Sequence, residues 1–274
     1  MRLGSSIIAA VAGAVLVTAS AAARADVFTI DNFSVSGAAG TLFNDNFNNG
    51  LTLNPGTAAS GVNLSTGTPA NYLVSGTGPI TEANGLATLN TANGISIPSI
   101  GTPFSSINQI SAQLLVGLSL TGNFTTAAVF NLSPPSLAFN SYGVQLIDLN
   151  AAQNGNIAAV RVVKGTGGQD LVSFLKLDRI NGTSTNIGSV LLDPNHDQIL
   201  LELSQTASSD MISGAYEYID GGVGGPLTTF SSLADLSGDG RTLRRAAFNA
   251  NGVVPSPRRR ASSRWGSSAS SGWD

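Results

Sequence analysis

Along the chain, short runs of Val, Ile, Leu and aromatic residues are separated by clusters of Gly, Asn, Ser and Thr. That rhythm reads as strand after strand. In "QILLELS", Ile199, Leu201 and Leu203 fall on one face opposite Glu202 and Ser204. "ISAQLLVGLSL" places Ala112, Leu114, Val116, Leu118 and Leu120 on one face and Gln113, Gly117 and Ser119 on the other. "SYGVQLIDL", "NIAAVRVVKG", "DLVSFLKLDRI" and "GAYEYID" add further strands, bounded by turns at Asn154-Gly155, Asn181-Gly182 and Asp193-Pro194-Asn195. After Asp26 no stretch holds a 3.6-residue apolar period for three turns, and no fixed repeat is present. The pattern predicts an all-β chain whose short strands form two packed antiparallel sheets, a β-sandwich.

The ends break the rhythm. "MRLGSSIIAAVAGAVLVTASAAARAD" has a basic start, an apolar stretch from Ile7 to Val17, and small residues ending Ala23-Arg24-Ala25. This is the layout of a secretory signal peptide, with cleavage expected before Asp26. A membrane anchor is the weaker reading, because the apolar stretch falls short of the roughly 20 residues that span a bilayer. The organisation expected is therefore a signal peptide over residues 1–25, a sandwich over 26–252 and a disordered Arg/Ser-rich tail over 253–274. The protein is expected to be exported, outside the cell or on its surface.

The chain has no cysteine, so thiol and disulfide chemistry are excluded, and a sandwich of this length can stand on its core alone. Between Asp26 and Val254 there are seven Lys and Arg against fifteen Asp and Glu, a formal charge of −8. None of the cations precedes Arg161 in that span. Such a surface is not one for nucleic acid or anionic lipid, which require clustered cations.

"LFNDNFNNGL" (Leu42 to Leu51) followed by "YLVSGTGPITEANGLATLN" (Tyr72 to Asn90) resembles the opening of concanavalin-like jelly-roll domains. The resemblance implies a jelly-roll sandwich, and a class in which carbohydrate hydrolases and carbohydrate-binding modules are common. The residues do not support hydrolysis. A retaining glycosidase needs two carboxylates about 5 Å apart, and the Glu-x-Asp-x-x-Glu pattern of the related glucanases is absent. Glu217 and Asp220 are three apart, which places them on opposite faces of a strand. Glu202 stands alone as a solvent-facing strand position, and His196, the only histidine, reads as a polar turn residue. No catalytic residue is assigned and a non-enzymatic protein is expected.

"KGTGGQD" (Lys164 to Asp170) lacks the ending of a phosphate loop and reads as a hairpin turn. "DLSGDG" offers Asp235, Ser237 and Asp239 at the spacing of the first half of a calcium loop. The twelfth position, where a closing carboxylate belongs, is Ala246, so an ordinary Asp/Gly turn is the stronger reading and no cofactor is expected. Tyr216 and Tyr218 share a strand face and form a small candidate platform for a sugar ring, or simply a cross-strand packing pair. Both tryptophans, Trp265 and Trp273, lie in the tail.

Val254-Pro255-Ser256-Pro257, after the final strand, resembles the Val-Pro-Glu-Pro motif of exported bacterial PEP-CTERM proteins. In that class a membrane helix and a basic end follow, and an exosortase-type enzyme reads the tail. Here the Glu is missing and no apolar helix follows. With TCN serine and CGN arginine codons, a shifted frame of "RRRASSRWGSSASSGW" decodes into a Leu/Val/Gly-rich segment. The expectation is a frameshifted sorting tail; a native Arg/Ser tail with some binding use is the alternative. Two function classes follow: a structural or interaction protein of the cell surface or extracellular polysaccharide, and a carbohydrate-binding module or degenerate glucanase relative.

Overall fold

The computed structural model describes residues 25–149, 155–207, 209–238, 241 and 243–253. Up to Pro98 the chain forms β1 (Val27–Gly37), β2 (Gly40–Asp45), β3 (Thr52–Leu53), β4 (Gly56–Asn63), β5 (Pro69–Ser75), β6 (Ile80–Ala83), β7 (Leu86–Asn90) and β8 (Ile95–Pro98). The longer strands β9 (Ser106–Leu114), β10 (Phe124–Asn131), β11 (Ser141–Leu149), β12 (Ile157–Lys164), β13 (Asp170–Asp178) and β14 (Thr183–Leu191) follow. Then come β15 (Gln198–Gln205) and β16 (Met211–Asp220). Two-residue strands β17 (Val223–Gly224), β18 (Thr228–Thr229) and β19 (Ala234–Asp235) flank β16, and β20 (Leu243–Val253) closes the fold. Among the described residues there is no α-helix.

These strands make two sheets in which every pairing is antiparallel, the two-sheet sandwich that the alternation predicts. The first sheet runs β17-β16-β15-β10-β1-β7-β6-β3, with β2 beside β1 and with β18 and β19 beside β16. The second runs β14-β13-β12-β11-β20-β9-β5-β4, with β8 on β9. The terminal strands β1 and β20 therefore both lie inside their sheets.

Alternation fills the space between them. Ile199, Leu201 and Leu203 of β15 are fully buried, and Tyr142, Val144 and Leu146 of β11 meet them from the other sheet. Aromatic rings occupy the middle: Phe33, Tyr72 and Phe248 pack at centroid distances of 5.1 to 6.3 Å. Tyr142 sits 4.5 Å from Phe28 and 4.9 Å from Phe130. Such tilted and edge-on contacts add to the area term that drives burial.

One polar latch crosses the core. Arg244 of β20 is 0% exposed, and its Nε donates to Asp148 of β11 at 2.5 Å. Another of its nitrogens, Nη1, donates to Gln205 of β15, which belongs to the opposite sheet. Gln205 in turn donates to the carbonyls of Leu120 and Gly122. This explains a departure from the sequence pattern. The alternation of "ISAQLLVGLSL" runs to Leu120, yet β9 stops at Leu114. Leu115 donates to Asn71, and Leu118 bridges to Arg244. Beyond Leu114 the segment leaves the ladder and caps the buried arginine and glutamine with its carbonyls.

Candidate functional site

On the face of the second sheet that points away from the core, the registers line up one rank of side chains across seven strands. Arg161 of β12 pairs with Ser173 of β13 and with Gly143 of β11. Gly143 pairs with Asn249 of β20, Asn249 with Ser111 of β9, and Ser111 with Ser75 of β5. On the other side Ser173 pairs with Ser189 of β14. Arg161 is the one charged member of this rank. Its neighbours Val160 and Val162 point into the core, so alternation alone sends Arg161 outward.

The adjoining ranks carry amides. Gln109 donates to Asn251 at 3.0 Å, and Asn251 donates to Ser141 at 3.1 Å. Gln145, Asn249 and Asn251 are all buried although they lie on the outward face. What covers them is the β8–β9 loop, which crosses the sheet. Gly101, at φ +73°, sits so close to Ser184 of β14 that a side chain at 101 has no room. Phe104 of this loop packs edge-on against Phe139 at 5.8 Å.

Beneath the loop is a cavity of about 60 Å³ lined by Ile100, Phe139, Gln145, Arg161, Leu175 and Asn249, among others. It opens at either end. Sharing Phe139, Arg161 and Leu175, a cavity of about 340 Å³ extends towards Ser173, Asn186 and Ser189. Sharing Ile97, Pro98, Ile100 and Arg179, one of about 290 Å³ extends the other way. Together they form a groove over the sheet with a strap across its middle.

The strap is held firmly on its Phe139 side. Phe139 adopts φ +69°, a left-handed conformation that costs a bulky residue about 1–3 kcal/mol. Its neighbour Asn140 compensates by donating to Asp26 at 2.8 Å and accepting from the Val253 amide at 2.7 Å. Asp26 also accepts from the Ser136 amide. The start of β1 and the end of β20 thus both anchor the residue that roofs the groove.

Arg161 is electrostatically exposed in this setting. Its Nε is buried without a hydrogen-bond partner. Burial pushes its guanidinium down to about 10, since no carboxylate offsets the loss of water. Arg179 at the far end is lowered for the same reason. Lys164, at the mouth beside Ser173, is paired with Asp170 at 2.9 Å. The "KGTGGQD" segment is the β12–β13 hairpin turn predicted from sequence, and its Gln169 lines the mouth.

The tyrosine pair lies elsewhere, on β16 at the edge of the first sheet. Tyr216 and Tyr218 do share a face, with ring centroids 5.6 Å apart. His196, in the turn predicted for it, stacks on Tyr218 at 4.4 Å and 18°. Its Nδ1 lies 2.7 Å from Asp220, whose carboxyl is held low chiefly by that hydrogen bond. With Pro226 and Thr228 these residues line an open hollow of about 420 Å³. Both rings also pack on the core, Tyr216 against Phe230 at 5.8 Å. The Tyr218 hydroxyl is engaged as well, accepting from the Asp193 amide at 2.9 Å. The platform therefore doubles as packing.

Glu217 and Asp220 fall on opposite faces, as their spacing requires, and Asp220 alone lines the hollow. Glu202 is not solitary, which corrects the sequence expectation. Leu200 pairs with Glu217 and Glu202 with Ala215, so the two glutamates are diagonal neighbours on the outer face of the first sheet. Burial first, and the Glu217 charge second, raise the Glu202 carboxyl. Neither glutamate lines the groove or the tyrosine hollow.

Of the calcium candidates, Asp235 accepts from the Ser237 amide at 2.8 Å in a tight turn. Asp239 lies outside the described residues. No group of three or more His, Asp or Glu side chains suited to a metal occurs among the described residues. The cleavage-site residue Ala23, the motif residues Val254, Pro255 and Pro257, and both tryptophans also lie outside them. Asp26 is buried beside Ala25, and its amide donates to Thr91 at 2.9 Å.

Sequence reading missed the groove. The available signal was Arg161 itself, the first cation after Arg24, set in an apolar run.

Comparison with known proteins adds little to this geometry. No protein family matches the chain, and neither does any curated protein. Among solved structures, the CBM2 module of the evolved Dit protein of Lactobacillus casei BL23 phage J-1 is similar over 81% of this chain and 90% of its own, with 18% identity and a TM-score of 0.45.

Proposed function

We propose that this protein is an exported, non-enzymatic β-sandwich of the bacterial cell surface or extracellular matrix that binds a polysaccharide along the groove of its second sheet. The carrying observation is the rank Ser189–Ser173–Arg161–Gly143–Asn249, flanked by amides and roofed by Phe139. Sugars are recognised by short polar side chains that replace water around their hydroxyls and by an apolar wall for the ring. The open end beside Ser173, Asn186 and Ser189, about 340 Å³, has room for a sugar unit reaching Arg161, and the strap over the 60 Å³ behind it stops the chain there. Export rests on the leader sequence, and descent from a surface-sorted PEP-CTERM protein rests on the Val254-Pro255-Ser256-Pro257 motif.

Affinity electrophoresis of the full chain through gels containing neutral or acidic polysaccharides tests this reading. At least one polymer should retard the protein. Ser189→Trp fills the open end from an exposed position, and it should abolish the retardation while the protein still unfolds cooperatively, at a slightly lower temperature for the lost hydroxyl contacts to Ser173 and Asn186. Free migration in every gel, or undiminished retardation of the Ser189→Trp protein, would sink the reading.

A further inference from the structure

We infer that the polysaccharide taken by this groove is a polyuronate, one of whose sugar carboxylates pairs with Arg161. The inference rests on the glycan-binding reading and specifies its ligand.

Charge is segregated across the molecule. The sandwich span is acidic, with fifteen Asp and Glu against seven Lys and Arg. The residues lining the groove include three of those cations, Arg161, Lys164 and Arg179, and not one Asp or Glu. In a sandwich span of net charge −8, a cationic concavity with low-dielectric walls focuses its field on an incoming anion.

The roles of the three differ. Lys164 is ion-paired with Asp170 and donates to the Gly168 carbonyl, so its charge is largely offset and it adds little field. Arg161 keeps its buried Nε without a partner. A desolvated guanidinium left unpaired costs stability, and a carboxylate arriving in its plane recovers that cost through charge-assisted hydrogen bonds. Around Arg161 the groove offers neutral groups: Ser173, Gln145 and Asn249. Arg161, among these neutral donors and with Arg179 adding charge from the far side of the strap, matches a planar carboxylate carried on a hydroxylated ring.

The test compares polygalacturonate with its fully methyl-esterified form, a sulfated galactan and a neutral glucan, using the full-length protein in titration calorimetry. Polygalacturonate should bind at least tenfold tighter than the ester, which differs only in the carboxylate charge, and binding should weaken as salt rises. Arg161→Gln should remove that preference, with Arg161→Lys in between. Equal binding of acid and ester, or a preference for the sulfated polymer, overturns the inference. So does unchanged polygalacturonate binding by Arg161→Gln. The acid-against-ester comparison uses unaltered protein and decides the matter even where the variants do not fold. Binding of the neutral glucan alone would overturn the uronate assignment and leave the glycan reading standing; binding of no polymer would remove both.

Discussion

Gly143 and Arg161 face each other across the β11–β12 ladder, and the arginine stands where it does because the glycine has no side chain. A Cβ at position 143 would lie 2.7 Å from Arg161 Cβ and closer still to the Val160 carbonyl. Neither neighbour can retreat, since β11 is buried on both faces and Val160 is fixed in the core. Gly143→Ala is therefore an overpacking change, despite the better strand propensity of alanine. It should destabilise the fold by about 1–3 kcal/mol and displace Arg161. Thermal unfolding and polysaccharide retardation read the two effects separately. An alanine variant as stable as the parent would mean that the ladder can spread at this point.

Arg244 and Asp148 form the second relationship with an energetic consequence. Both side chains are 0% exposed. Removing one charge strips the other of its short ion pair and leaves it the longer contacts, Asp148 with Arg241 at 3.9 Å and Arg244 with Asp210 at 3.7 Å, a loss of up to roughly 3–5 kcal/mol. Arg244→Met and Asp148→Leu should each cost about that much, as measured by urea unfolding. The double variant should cost clearly less than the two added together, because it leaves no orphaned charge of this pair. Additive losses would show that the residues act independently.

Asp26 links the start of the sandwich to the groove. Its carboxylate accepts from the Ser136 amide and the Asn140 side chain, and the Asn140 carbonyl accepts from the Lys164 amide. Asp26→Ala should release the strained Phe139 and weaken polysaccharide binding several-fold, with a stability loss of about 1–2 kcal/mol for the lost charge-assisted hydrogen bonds. Binding that survives intact, at a stability reduced by that amount, would show that Phe139 is held by Lys164 and Phe104 alone.

Much of the sandwich was legible in the sequence, because alternation is local. Ile199, Leu201 and Leu203 announce their face without reference to any other strand, and so do Tyr216 and Tyr218. What was not legible depends on register. Arg161 becomes part of a site only when Gly143, Ser173 and Asn249 arrive beside it from three other strands. Glu202 looks solitary until β16 sets Glu217 diagonally beside it. The early end of β9 was hidden for a related reason: the carbonyls of Leu120 and Gly122 are claimed by Gln205, which lies far along the chain. One-residue shifts in any of these ladders would send each side chain to the other face, so local pattern cannot assemble such sites.

The fold also carries a pH dependence with a definite sign. Glu82 of β6 is 6% exposed, and both of its carboxylate oxygens are buried without a hydrogen-bond partner. Asp45 of β2 is its acidic neighbour; it is 0% exposed and accepts from the Tyr72 hydroxyl at 3.0 Å and from the Phe47 amide. Burial first, and the Asp45 charge second, push the Glu82 carboxyl up to about 7 from 4.5. Burial raises Asp45 as well, and Tyr72 stays protonated far above neutrality. Between pH 4.5 and 7 the folded chain thus holds a proton on Glu82 that the unfolded chain has released. Stability must then fall as pH rises through that window, by at most about 1.4 kcal/mol per pH unit for this one group, and level off above it. Below pH 4.5 both states are protonated and Glu82 contributes no slope. Glu82→Gln keeps the shape and removes this titration, leaving Asp45 and Tyr72 in place. The difference between the urea midpoints of the two proteins should be small at pH 4.5 and widen steadily towards pH 7.5 in favour of the glutamine variant. Curves that run parallel across this range would mean that Glu82 is already ionised in the folded state throughout it.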